Sequence, residues 1–186
     1  RDITNLFVYS KRKYSDVCFD QATLVDTRER RRIDGQFTVS ILDILLKRTF
    51  PDTVLRAITN YDTHGYTVDP LFTLRFPKKS IVMECYLPYR CLLPKDLKGL
   101  LVIGLGVSIH RDAQPVVRMQ PDMQNLGYAA GIAAAMAQKH GGDPRTVDVK
   151  ELQEHLVAKG CLPPTVLNDP DSFPLPEARL REAISN

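Results

Sequence analysis

A chain of 186 residues is long enough to bury a real core and suits one domain or little more. With 25 basic against 22 acidic side chains, the net charge is only +3, which excludes bulk-charge binding of polyanions, so no nucleic-acid partner is expected. Hydrophobic content of 44% and charged content of 25% are those of a globular protein.

The chain opens on RDITN, with no initiator Met and no signal peptide in view. That opening is expected of a processed product or of a part of a larger protein. Localisation is left open. Residues 5–28, NLFVYS followed by DVCFDQATLVDT, read as extended structure because β-branched and aromatic residues dominate. The basic run Arg28, Arg30, Arg31 and Arg32 has Glu29 inside it and Asp34 behind it, so it reads as an ion-paired face. VSILDILLKR at 39–48 predicts a short helix with basic residues near its end. FPD at 50–52 is a break, followed by a helical turn or two.

DPLFTLRFP and SIVMECYLP are two strand-like runs bounded by prolines, and PYRCLLPKDLKG reads as a shaped loop. LLVIG at 100–104 reads as a buried strand, and GLLVIGLGVSI at 99–109 is far short of the ~20 residues of a membrane span. Gly104 and Gly106 form GxG, but Ile109 stands where a dinucleotide fingerprint needs its third glycine, so a tight turn is the plainer reading. Residues 120–140 predict a helix of small residues, closed by Gly141-Gly142 and Pro144. VDVKELQEHLVAKG predicts an amphipathic helix carrying Leu152, Leu156 and Val157 on one face. A proline-rich connector then leads to a last short helix near 177–184. Strands and separate helices together indicate an α+β fold.

Cys18, Cys85, Cys91 and Cys161 form no CxxC and have no His at metal-ligand spacing, so no metal site is expected and reduced thiols are. The 120–140 helix is the most informative element. Gly127 and Gly131 lie one turn apart on a shared face, with Ala130 and Ala134 beside them, although glycine inside a helix costs about 1 kcal/mol relative to alanine. Two readings account for that cost: tight packing against a sheet, or close approach of a ligand. Free N–H groups near 122–126 favour negative charge, and Arg118 adds a cation just before them. Other candidates are His64, with Asp62 to orient it as an acid or base, and Arg90, whose paired donors suit a carboxylate or hydroxyl. Tyr89 lies beside Arg90, and His110 lies in the connecting loop.

The run YLPYRCLLPKDLKGLLVIGLGVSIHRDAQPVVRMQPDMQNLGYAAGIAAAMA, 86–137, resembles the C-terminal flavin-contacting segment of FAD-dependent oxidoreductases of the glutathione-reductase-like superfamily. Pro88-Tyr89-Arg90, Cys91, Pro94, Gly104, Ser108, Ala113, Arg118, Leu126-Gly127 and Ala129-Ala130-Gly131 fall in register with that family's pattern. TRERRRIDGQFTVSILDIL and YDTHG resemble it upstream, so the likeness covers most of 26–160. It implies a piece of an α/β FAD-binding fold with part of a substrate domain. Residues 1–85 would belong to the substrate side, 86–143 would contact FAD, and 144–186 would form a helical tail.

It also implies that the bare helix points its N-terminus at the flavin. Gly104, Ser108, Arg118, Leu126, Gly127, Ala130 and Gly131 would then form the cofactor side of the site. His64, Tyr89, Arg90 and His110 would be its candidate catalytic residues, acting on a small organic substrate. Leu105 stands where the family has Arg, and Tyr128 where Gln is common. No GxGxxG occurs in the sequence. FAD binding by this chain alone is therefore expected to be weak or absent. A nucleotide-binding half would come from the same protein or from another chain, and apolar surface meant for it makes a homodimer a further expectation. A stand-alone module binding carbohydrate or protein, with its flavin chemistry lost, is the competing reading.

Overall fold

The structure is a computed structural model; it describes residues 2–14, 31–63, 67–70, 72, 81–178 and 181. Helix α1 spans Asp2–Lys13. Residues 5–13 are thus helical, not extended as their composition suggested. Lys11, Arg12 and Lys13 close the last turn, where cations meet the negative end of the helix dipole. Leu6, Val8 and Tyr9, the residues that read as strand, stay exposed on that helix. The second extended run, DVCFDQATLVDT, lies outside the described residues.

Helix α2 is Ile41–Leu45. It begins where expected because Ser40 and Asp43 form a reciprocal capping box, the Ser40 backbone N donating to Asp43 Oδ2 at 2.7 Å. Strand β1, Thr53–Asn60, follows the FPD break directly, in place of the expected helical turn. It pairs antiparallel with β2, Val82–Pro88, with Leu55 opposite Leu87 and Ala57 opposite Cys85. A bulge falls between Thr53 and Leu55. The pleat sends Leu55, Ala57, Met83, Cys85 and Leu87 into the core. Arg56, Glu84 and Tyr86 form a hydrogen-bonded group across the other face.

Three helices follow: α3, Gln114–Val117; α4, Gln120–Gln138; and α5, Val149–Ala158. All three pack on β1, while α2 packs on β2. Asp148 caps α5 by accepting from Lys150 N at 2.9 Å and Glu151 N at 3.3 Å. Fully buried Gln153 ties α5 to the start of β1 by donating to Thr53 O at 2.9 Å. One buried apolar cluster runs from Val39 through both strands and α4 to Val166. A short sheet with separate helices makes the chain α+β. Among the described residues, no helix is long and apolar enough to cross a membrane.

LLVIG is not a strand. Leu100 and Ile103 remain 42% and 41% exposed, and Val102 N donating to Leu92 O at 2.9 Å is the one ladder-like bond of that run among the described residues. A strand needs a neighbour to satisfy its backbone, and none of the described residues provides one.

Candidate functional site

Helix α4 has two unlike faces. Leu126, Ala129, Ala130, Ala133 and Ala137 are buried, spaced so that their methyl groups form a stripe against the core. Away from that stripe Gly127 is half-buried and Gly131 is exposed. A Cβ at Gly127 would meet only Ile103 Cδ1, at 3.8 Å, and one at Gly131 would meet nothing within 4 Å. The glycines therefore do not serve contacts within the described chain. The helix starts after extended Met119 with Pro121 in its first turn and no side-chain cap, so its first N–H groups are not met by a capping side chain. Asp122 sits in that turn, and burial raises its carboxyl above the usual range despite the helix dipole. At the other end Gly141 and Gly142 have φ values of +87° and +82°, and Gly142 N donates to Ala137 O at 2.8 Å.

The Gly104–Gly106 turn packs against α4, with Gly104 at φ +69° and open space where its Cβ would be. The GxG is thus a tight turn, as its spacing suggested. The structure brings Gly104 and Gly127 together through Ile103, with Gly131 one helical turn on. Leu126 and Ala130 lie on the buried side of the same helix.

Ser108 is buried, and its hydroxyl is committed within the protein. Its Oγ accepts from Gly35 N at 3.1 Å and lies 2.8 Å from Thr38 Oγ1. His110 anchors its loop by donating its backbone N to Val39 O at 2.7 Å, and its Nδ1 accepts from Asp112 N at 3.4 Å. Arg118 donates from Nη2 to Asp62 O at 2.7 Å. Asp112 Oδ2 accepts from Val68 N and Asp69 N at 2.9 and 2.6 Å, and Tyr61 donates its hydroxyl to Asp112 O at 3.0 Å. Tyr61, Asp62, Val68 and Asp69 are thereby stapled to the 110–118 segment that carries His110 and Arg118. His64 itself lies outside the described residues.

Tyr89 and Arg90 stand elsewhere, on a cleft of about 400 Å³ whose walls include Asp52, Leu93, Arg145 and Asp171 but neither Gly104, Ser108 nor any residue of α4. Tyr89 is buried and donates its hydroxyl to Pro144 O at 2.9 Å; burial raises its pKa far above the ordinary phenol value. Arg90 grips Asp52 through Nε at 2.9 Å and Nη2 at 3.1 Å. Beside the cleft, Arg48 holds Asp171 through Nε and Nη2, both at 2.9 Å, and lies over the rings of Phe37, Phe50 and Phe173. Sequence reasoning missed Asp52, Arg145 and Asp171. No local pattern marks them, since their partners are 38 to 123 residues away.

Cys85 and Cys91 are buried free thiols; burial raises Cys85 well above the usual thiol value and Cys91 to about 12. Cys161 is free and half-buried. No cluster of metal-ligating side chains occurs among the described residues.

In comparison with known proteins, a family model described as FAD dependent oxidoreductase matches residues 6–156. No curated protein and no solved structure matches the chain.

Proposed function

We propose, from the premise that the chain belongs to the FAD dependent oxidoreductase family, that it supplies the flavin-facing helix and part of the substrate pocket of such an enzyme. The observation that carries the reading is the open glycine face of α4. Gly127 and Gly131 forgo helix stability, yet only Ile103 Cδ1, at 3.8 Å, borders the space at Gly127 and nothing lies within 4 Å at Gly131. A flat ring can approach that backbone to van der Waals contact, and Gly104 offers a second bare backbone at the edge of the same face. The residues present therefore fit the edge of a flavin.

FAD supplies the two-electron chemistry when bound. The chain's own part is to bind and orient. Leu126 and Ala130 root α4 in the core, Ser108 fixes the loop behind Gly104, and Arg118 secures Asp62 near the helix start. The N-terminal end of α4 contributes positive potential toward charge on the ring. His110 and His64 are the candidate groups on the substrate side, while Arg90 is held by Asp52 in a separate cleft. With no GxGxxG in the chain, the nucleotide half of FAD would be held by another segment or another chain.

Titrating the purified chain with FAD, followed by flavin fluorescence and by visible absorption after desalting, tests this. Saturable quenching that disappears in Gly131→Leu is expected, with little flavin retained after desalting. Equal quenching in Gly131→Leu would sink the flavin-facing role of α4. A stable stoichiometric yellow complex would sink the division of FAD binding between two parts.

A further inference from the structure

We infer that residues 168–178 form a detachable strap, latched by Asp171 on Arg48, that opens and closes at the edge of the Tyr89 cleft while the core stays folded. Val166 is fully buried, but none of residues 167–178 is. Residues 169–176 form neither helix nor strand, and Pro170, Pro174 and Pro176 lack the N–H that a ladder needs. Apolar burial therefore does not hold this stretch. Among the described residues, the hydrogen bonds from 169–178 to earlier parts of the chain all end on Arg48 and Thr49. Arg48 Nε and Nη2 each donate to Asp171 at 2.9 Å. Thr49 N donates to Ser172 Oγ at 3.1 Å, Ser172 N to Thr49 O at 3.3 Å, and Thr49 Oγ1 to Pro170 O at 2.8 Å. The Arg48 guanidinium also lies over the Phe173 ring, 5.0 Å from its centroid.

The core side of the latch is complete without the strap. Arg48 Nη1 donates to Asp43 Oδ1 at 3.0 Å, and Arg48 N donates to Asp43 O at 2.8 Å. Its guanidinium lies over Phe37 and Phe50, 5.2 and 4.8 Å from their centroids. The Arg48 side chain is 17% exposed, against 30% for Asp171. A departing strap leaves Arg48 seated and still paired with Asp43, so opening does not strand an unpaired charge in the core. A segment held only by surface contacts opens at far less cost than the whole fold. Asp171 lines the cleft together with Asp52, Tyr89 and Arg90. Phe37 also carries the Arg90 guanidinium, at 5.1 Å, so the latch adjoins the Arg90–Asp52 pair. Lifting the strap takes one wall residue and one negative charge from the cleft and frees the Nε–Nη2 edge of Arg48. None of these contacts involves α4, so the strap stands apart from the flavin reading.

The test is native-state hydrogen exchange on the whole chain labelled with nitrogen-15, free of flavin, beside Asp171→Asn. In the unaltered chain, exchange at the Ser172 amide should not depend on low concentrations of urea, while exchange at Leu156 in α5 should accelerate with them. In Asp171→Asn, the Ser172 amide, corrected for its intrinsic rate, should exchange about tenfold faster or more, the loss of a charge-assisted pair. The Arg48 Nε–H should accelerate with it, and the Arg90 Nε–H, held by Asp52, should not. Equal urea dependence at Ser172 and Leu156 would overturn the proposal, since the strap would then open only with the core. So would an unchanged Ser172 rate in the variant. If the variant fails to fold by circular dichroism, the urea series on the unaltered chain decides. Because no flavin is present, an inability of α4 to bind flavin would leave this result untouched.

Discussion

Replacing Gly131 with alanine should make the chain more stable. In a helix interior, glycine costs about 1 kcal/mol relative to alanine, partly through the freedom it gives the unfolded chain. The gain is realised only where the new methyl group meets nothing, and no atom lies within 4 Å of that position. The helix is regular there, with no positive φ at Gly131. The expected gain is about 0.5–1 kcal/mol. For a chain of this size that raises the Tm by roughly 1–4 °C. Urea unfolding followed by far-ultraviolet circular dichroism, at constant slope, measures it directly. Gly127→Ala should behave alike, since Ile103 Cδ1 at 3.8 Å is an ordinary contact. A loss of stability at Gly131 would mean that the face is covered in solution, and the reasoning from an open glycine face would fall. Added to the proposed function, the same substitution should lower flavin affinity while raising stability, a pairing that a purely structural glycine would not give.

Gly35→Ala should do the opposite. Its Cβ would lie 2.5 Å from Ser108 Cβ and 3.0 Å from Phe37 O, so a loss of about 2–3 kcal/mol in the same urea experiment is expected. A thiol reagent at pH 8, followed by peptide mapping, should leave Cys85 and Cys91 unlabelled in the folded chain and label both in denaturant; rapid labelling of the folded chain would contradict their burial. Asp171 has its pKa lowered, chiefly by its hydrogen bond to Arg48, so the folded value lies below the unfolded one. Its contribution is therefore present above the ordinary carboxylate range and is lost as pH falls through the lowered value. Asp171→Asn should flatten the acid limb of a stability-against-pH profile, and an unchanged limb would show that the Arg48 pair contributes nothing.

Much of this was legible in one dimension because the signals are local. The Ser40 box, the Asp148 cap and the Gly141-Gly142 stop each act within five residues, so the signals that place α2, α4 and α5 are local. The errors fall where the deciding partner is distant. LLVIG has a strand's composition, but its pairing is absent from the described residues. Leu6, Val8 and Tyr9 are strand formers on a helix that leaves them exposed. TVLRAITN became β1 because VMECYLP lies against it, with residues 61–81 between the two. At the site, the glycines of α4 were visible as a pattern. Their open side was not, since a small-residue helix buried all round would have the same sequence. The Arg90–Asp52 and Arg48–Asp171 pairs and the Arg145 contacts with residues 94–97 were invisible for the same reason, being products of tertiary folding.

The alanine stripe that seats α4 also bears on how readily its other face is covered. Most ligands meet side chains that must give up rotamers on contact, and each such ordering weakens the binding. Gly127 and Gly131 have no rotamers to give up, and the helix beneath them is already held by Leu126, Ala129, Ala130, Ala133 and Ala137. Whatever settles there meets a surface with no glycine side chains to order, so that one of the costs of binding is absent.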